Sequence, residues 1–180
     1  MATELNRRGF LGTSAAGGAA AVAATLARPA LAGEAGRKVV IGVMGLSRGR
    51  SLAVNFARQA GVEVKYVCDV DKDRAASCAK VVEGAGVNAP QAIGDFRKIL
   101  DDRTVDALVC AAPNHWHSPA TILACSAGKH VYVEKPCSHN PAEGEMMVAA
   151  ARKHRRAVQM GTQRRSGPQT IEAMQKLHEG

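Results

Sequence analysis

Aromatic residues are scarce in this sequence: three Phe, two Tyr and one Trp make up 3% of 180 residues. Any core must therefore come from Val, Ile, Leu, Ala and Met, and a nucleic-acid face with stacking rings set between cations is excluded. No C-x-x-C pair occurs, and five cysteines are an odd number, so neither a structural zinc nor a complete disulfide framework is expected. The apolar stretch from Leu11 to Leu26 is too short and too rich in glycine to span a membrane comfortably. Acidic residues are outnumbered, 16 against 24 Lys and Arg, which leaves a net charge of +8. The excess gathers at Arg152-Lys153-His154-Arg155-Arg156 and at Arg164-Arg165. It reads as the solvated C-terminal end of a helix, where cations are favoured, and no nucleic-acid partner is expected.

What is present is enough for a packed domain, since 46% of residues are hydrophobic and only 22% charged. The N-terminus is read separately. Asn6-Arg7-Arg8-Gly9-Phe10-Leu11 has the twin-arginine pattern, a weakly apolar Ala/Gly stretch follows, and Ala30-Leu31-Ala32 forms an A-x-A cleavage site. Residues 1–32 are expected to be a twin-arginine signal, 33–37 a linker, and the mature protein to be periplasmic or otherwise exported already folded. Prior folding in the cytoplasm would explain free thiols such as Cys68 and Cys110 in apolar runs. No membrane span is expected after cleavage.

From Lys38 onward, short β-branched runs alternate with helical patterns. Strands are predicted at Lys38–Met44, Val62–Cys68, Val105–Ala111, His130–Val133 and Ala157–Met160, with a weak edge strand between Val87 and Ile93. Helices are predicted at Arg50–Ala60, from an Asp71 cap to about Glu83, at Phe96–Leu100, Ser118–Ala127, Pro141–His154 and Pro168–His178. Gly128 stands where a helix-ending glycine belongs. Strand and helix alternating through short connections give an α/β doubly wound parallel sheet, the Rossmann dinucleotide-binding fold being the commonest such topology.

Four strand ends carry candidate chemistry. The first turn, Gly42-Val43-Met44-Gly45-Leu46-Ser47-Arg48-Gly49, offers glycines that let backbone N–H groups approach a pyrophosphate at a helix N-terminus. It is not a clean G-x-G-x-x-G, because Ser47 stands at the second glycine position. Its Cβ intrudes there, although its hydroxyl is able to donate to a phosphate. Asp69 ends the next strand at about the spacing, roughly 20 residues, where a carboxylate accepts the adenosine ribose hydroxyls. A plain turn or helix cap is the other use open to it. As a ribose acceptor it favours NAD over NADP, and Lys72 and Arg74 nearby soften that preference. Ala112-Pro113-Asn114-His115-Trp116-His117 follows the third long strand and is expected to shape a nicotinamide pocket, a merely structural turn being the alternative. His115 and His117 have no third ligand placed with them, so no metal site is expected. Finally, Glu134-Lys135-Pro136 ends a buried strand with a cation held by a neighbouring carboxylate, suited to donating toward a substrate hydroxyl. The Lys135–Pro136 bond is a candidate cis peptide.

Together with Gly161-Thr162-Gln163-Arg164-Arg165, these motifs resemble the Gfo/Idh/MocA oxidoreductases, in particular those with twin-arginine signals, across residues 38–180. The resemblance implies an NAD(P)-binding domain over 38–165, with Lys135 contacting both substrate and nicotinamide ribose. Gln163 and Arg164 would flank the active site, and 166–180 would begin the connection to a second domain. That substrate domain, with its catalytic His or Asp, is expected to be absent, which would leave the fragment inactive by itself. The candidate cofactor-binding set is Gly45, Ser47, Arg48, Gly49, Asp69, Pro113, Asn114, His117, Glu134, Gln163 and Arg164, and Lys135 is the candidate catalytic residue. The whole protein would transfer hydride between a sugar or cyclitol-like substrate and NAD, NADP being the second choice of cofactor. An NAD-dependent glycoside hydrolase of the same superfamily and a non-catalytic nucleotide-binding remnant are the alternatives.

Overall fold

A computed structural model describes residues 36–85 and 88–179. The expected signal, most of the linker and Val87 lie outside them. Lys38–Gly180 form one unit. Six strands, β1 (Val39–Met44), β2 (Val62–Cys68), β3 (Gln91–Ile93), β4 (Ala107–Cys110), β5 (His130–Glu134) and β6 (Val158–Gly161), make a single parallel sheet in the order β3-β2-β1-β4-β5-β6. The helices are α1 (Gly49–Ala57), α2 (Lys72–Gly84), α3 (Arg97–Asp101), α4 (His117–Ser126), α5 (Pro141–His154) and α6 (Pro168–Glu179). This is the doubly wound order expected of a Rossmann domain, with the chain reversing direction across the sheet between β1 and β4.

Alternation along the strands separates two apolar layers, as it must in a sheet covered on both faces. Val43, Val64, Val67 and Val109 pack with Leu46, Leu52, Ala53, Cys78 and Val82, the layer under α1 and α2. Met44, Leu108, Cys110, Val131 and Val133 pack with Ile99, Ala120, Ala124 and Met147, the layer under α3, α4 and α5. Both layers are mainly aliphatic, as the scarcity of aromatics requires, with Phe96 buried in the second. Cys68 and Cys110 are free thiols in the second layer, and burial pushes them up to about 12 and about 11, so they stay protonated.

Local signals set most boundaries. The Asp71 carboxylate accepts from the N–H groups of Asp73 and Arg74, 3.0 Å each, capping α2. Asn140 accepts from Glu143 N–H at 3.0 Å, with Pro141 in the first turn of α5. Gly128 takes φ +78° just past α4. Two boundaries depart from expectation by more than one residue. Helix α1 stops at Ala57, because Gln59 N–H turns back onto Phe56 O and the chain enters β2 through Gly61 at φ +78°. Strand β4 starts at Ala107, since Val105 N–H closes a turn onto Asp102 O. Two 3-10 turns, Asn114–Trp116 and Gln163–Ser166, were not legible in the pattern. Helix α6 forms as predicted yet buries nothing, and Ile171, Met174 and Leu177 are exposed on it. Among the described residues no helix is long and apolar enough to cross a membrane.

Candidate functional site

The carboxyl ends of β1, β2 and β4 open onto a cleft of about 930 Å³ at the point where the strand order reverses. Its floor is the turn after β1. Gly45 sits at φ +84°, and a Cβ there would stand 2.4 Å from the backbone N and Cα of Ala112, so no other residue fits without displacing the neighbouring strand end. The turn holds itself together through its amides. Gly45 N–H donates to Cys68 O at 2.9 Å, Leu46 N–H to Asp69 Oδ2 at 2.8 Å, and Gly49 N–H to Gly45 O at 2.9 Å. Among the described residues the Ser47 and Arg48 amides find no acceptor, and both residues line the cleft. Two orphan donors at the positive end of a nine-residue helix suit an anionic pyrophosphate. Gly49 is buried where the helix start crosses Val43.

Asp69 forms one wall and is 7% exposed. Burial alone would raise its pKa, but the N–H groups of Leu46 and Asp71 and the Arg74 guanidinium together outweigh this and hold it below the usual carboxylate range. The same cleft is lined by an apolar surface, Ala111 to Pro113 with Phe96, Trp116 and Leu123. The Phe96 and Trp116 rings meet edge to face, 5.9 Å apart at 70°. A flat heteroaromatic ring fits such a surface, with polar groups left at the rim.

Beyond β4 the expected residues are arranged around a second centre. Glu134, 4% exposed, receives Arg48 Nε at 3.3 Å and Gln163 Nε2 at 3.2 Å on Oε1, and Lys135 N–H at 3.3 Å on Oε2. One buried carboxylate thus ties the glycine turn to the ends of β5 and β6. Lys135 and Arg164 are exposed, and their side chains have no partner among the described residues. The Lys135–Pro136 bond is cis, as the sequence suggested.

The cleft gathers Gly45, Ser47, Arg48, Asp69 and Pro113 from the expected set. Asn114, Glu134, Lys135, Gln163 and Arg164 are not among the residues that line it. His117, expected beside the cofactor, is 1% exposed. Its Nδ1 meets Pro136 O at 2.5 Å and its Nε2 meets Ala112 O at 2.9 Å, so it braces two strand-end loops from within. Sequence reasoning missed the Leu46 amide on Asp69 and the roles of Phe96 and Leu123. The first was within reach, because β1 and β2 pair in parallel with Met44 opposite Cys68, which sets the residues just beyond them side by side.

A doubly wound sheet with a helix N-terminus, a carboxylate and an apolar wall around its switch point defines a dinucleotide-binding Rossmann domain. The comparisons narrow this: residues 37–162 match the family model GFO_IDH_MocA, described as an oxidoreductase family with an NAD-binding Rossmann fold, and the chain belongs to that family. A glycosyl hydrolase family 109 protein of Saccharopolyspora erythraea is 34% identical over 172 residues, covering 84% of this chain and 38% of the relative. An inositol 2-dehydrogenase of Salmonella typhimurium is 31% identical over 130 residues, covering 71% and 36%. Among solved structures, the 3-ketoreductase KijD10 of Actinomadura kijaniata in complex with NADP superposes with a TM-score of 0.70 at 23% identity, over 80% of this chain and 45% of that one. The chain spans well under half the length of the curated relatives it matches.

Proposed function

We propose that the chain is the NAD(P)-binding part of an exported oxidoreductase that moves a hydride between nicotinamide and a sugar or cyclitol-like substrate. The observation that carries this reading is the single cleft joining the orphan amides of Ser47 and Arg48, the Asp69 carboxylate and the β4 loop. In it, the turn amides and the Ser47 hydroxyl hold the pyrophosphate, and Asp69 takes the adenosine ribose. Pro113 and Asn114 shape the nicotinamide end, with His117 bracing their loop. The bound nicotinamide supplies the carbon that gives or takes the hydride. Lys135, exposed and unpaired, presents its ammonium to the nicotinamide ribose and to the substrate oxygen, where it stabilises developing charge. Glu134 holds the backbone of Lys135, and Gln163 and Arg164 flank the substrate side. The inositol 2-dehydrogenase relatives support the substrate class. The Arg7-Arg8 pair and Ala30-Leu31-Ala32 support twin-arginine export to the periplasm.

The 34% identity to a glycosyl hydrolase family 109 protein favours a second reading, in which the hydride is removed and returned within one hydrolytic turnover. The two readings separate on net redox change: a dehydrogenase accumulates reduced cofactor from a polyol, whereas a hydrolase releases sugar and accumulates none. Calorimetric titration of NAD+ and NADP+ into the chain tests what they share. Saturable binding is expected, and that of NAD+ is weakened at least about tenfold in Asp69→Ala, because the variant loses a charge-assisted contact to the ribose hydroxyls. A folded chain that binds neither nucleotide would leave a non-catalytic remnant.

A further inference from the structure

Positive charge gathers where the acidic residues run out. No Asp or Glu lies between Glu145, in the first half of α5, and Glu172, in α6. Within that stretch Arg152, Lys153, Arg155 and Arg156 close α5 and the turn after it. Helix α4, packed beside α5, carries no Asp, Glu, Lys or Arg.

Cations at a helix C-terminus ordinarily serve its unpaired carbonyls. Here those carbonyls are served by other means or by Arg156 alone. Arg156 N–H donates to Ala151 O at 2.9 Å, Arg155 N–H to Arg152 O at 3.2 Å, and Arg156 Nε to His154 O at 2.9 Å. Arg156 also sets Nη1 on Gly128 O at 3.1 Å, which fixes the turn against the end of α4. Arg152, Lys153 and Arg155 are exposed, and their side chains make no hydrogen bond or ion pair among the described residues.

Arg155 adds a second observation. Its φ of +51° is the one positive value among the described non-glycine residues, at the place past a helix that glycine ordinarily takes, as Gly128 does past α4. The left-handed backbone strains a Cβ, and no group among the described residues uses the guanidinium in return. Apolar groups complete the surface. Val148 stands one turn before Arg152 and Met146 two turns before Lys153, and both are exposed, so cations and aliphatic groups share the outward side of α5. That combination fits a bilayer with anionic headgroups, where charge draws the helix in and the aliphatic groups enter the headgroup layer. A nucleic acid would use the charge alone, since no Phe, Tyr or Trp follows Tyr132 to stack on its bases.

We propose that the outward side of α5 and the turn after it dock on a membrane surface that carries anionic lipid. Arg152, Lys153 and Arg155 meet the lipid phosphates, and Met146 and Val148 sit at the headgroup boundary. Because α5 returns from the carboxyl end of β5 to the amino end of β6, its cations lie at the edge of the sheet opposite the cleft. Docking there leaves the cleft open.

The test is sedimentation of the 180-residue chain with vesicles of phosphatidylcholine alone, and of phosphatidylcholine and phosphatidylglycerol in equal parts. Wild type is compared with Arg152→Gln/Lys153→Gln, with Arg155→Gly, and with Lys80→Gln, which removes one exposed cation from α2 on the other face of the sheet. Wild type is expected to sediment with the anionic vesicles only and to be released by salt. Each cation at such a surface is worth about fivefold, so Arg155→Gly should weaken binding about fivefold and the double variant about 25-fold, with Lys80→Gln unchanged. Arg155→Gly also relieves the left-handed backbone, so it decides the matter even where the double variant fails to fold. Sedimentation with neither vesicle, or equally with both, overturns the proposal. So does binding that the α5 variants leave intact, as attachment through Arg7 and Arg8 would be, or that Lys80→Gln weakens as much as Arg155→Gly. Double-stranded DNA that binds more tightly than the vesicles, with losses in the same variants, overturns it in favour of a nucleic acid.

Discussion

On the β3-β2-β1 side of the cleft the polar groups hold one another. Leu46 is tied to Asp69, Asp69 to Asp71 and Arg74, and Asp95 to Arg97, so that the geometry exists before any ligand arrives. On the β4-β5-β6 side one carboxylate, Glu134, gathers Arg48, Gln163 and the Lys135 amide, while the side chains of Lys135 and Arg164 reach solvent with no partner among the described residues. On the proposed function, the difference separates recognition from chemistry. The first side has the form of a preorganised mould, and the second offers uncommitted donors, as a group must be that changes its bonds during a reaction.

The largest effect should follow from breaking the mould at Gly45. Gly45→Ala meets a left-handed φ of +84° and a backbone contact of 2.4 Å, and is expected to cost about 3 kcal/mol and to lower the melting temperature by roughly 6–12 °C. Thermal unfolding followed by circular dichroism checks this, and an unchanged melt would mean that the turn is far softer than its packing indicates. Lys135→Ala probes the other side. Because the side chain is unpaired, stability should stay within about 0.5 kcal/mol of wild type. NAD+ affinity should fall by about 1 kcal/mol, near fivefold, the worth of one hydrogen bond to the ribose. A loss of stability instead would show that Lys135 belongs to the scaffold and would erase the contrast.

The smallest effect concerns pH. The Asp69 carboxyl is held below its ordinary value in the folded chain, so its contribution is complete above the unfolded value and disappears only as pH falls through the lower folded one. Nucleotide affinity should therefore stay level from pH 7 to about pH 5, well above the ordinary Asp value near 3.9. Trp116, the single tryptophan and a residue of the cleft wall, supplies the fluorescence signal for that titration. A decline centred near pH 6 would assign control of the cleft to a histidine rather than to Asp69.

The sheet could be read from the sequence because its determinants are local: β-branched runs, an Asp71 cap, Pro141 at a helix start and Gly128 at a helix end act within a few residues. That Gly45 and Asp69 meet at one cleft was legible for a related reason, since parallel neighbours end at the same edge. His117 was not. Nothing in Asn114-His115-Trp116-His117 says which imidazole turns inward, because the choice depends on two carbonyls, Ala112 O and Pro136 O, brought together by the pairing of β4 with β5. Likewise the Arg48–Glu134 contact joins positions 86 residues apart, and no spacing rule reaches that far. The scarcity of aromatics foretold an aliphatic core, yet gave no sign that Phe96 and Trp116 would be gathered at the cleft.

The carboxylate shared at Glu134 has one more consequence. Arg48 and Gln163 act on the same oxygen, so they form one energetic unit drawn from opposite ends of the domain. Removing either leaves the other in place. Removing both strands a carboxylate that is 4% exposed, with only the Lys135 amide to hold it. The effects of the two substitutions therefore do not sum, and neither residue has a contribution of its own that a single truncation would reveal.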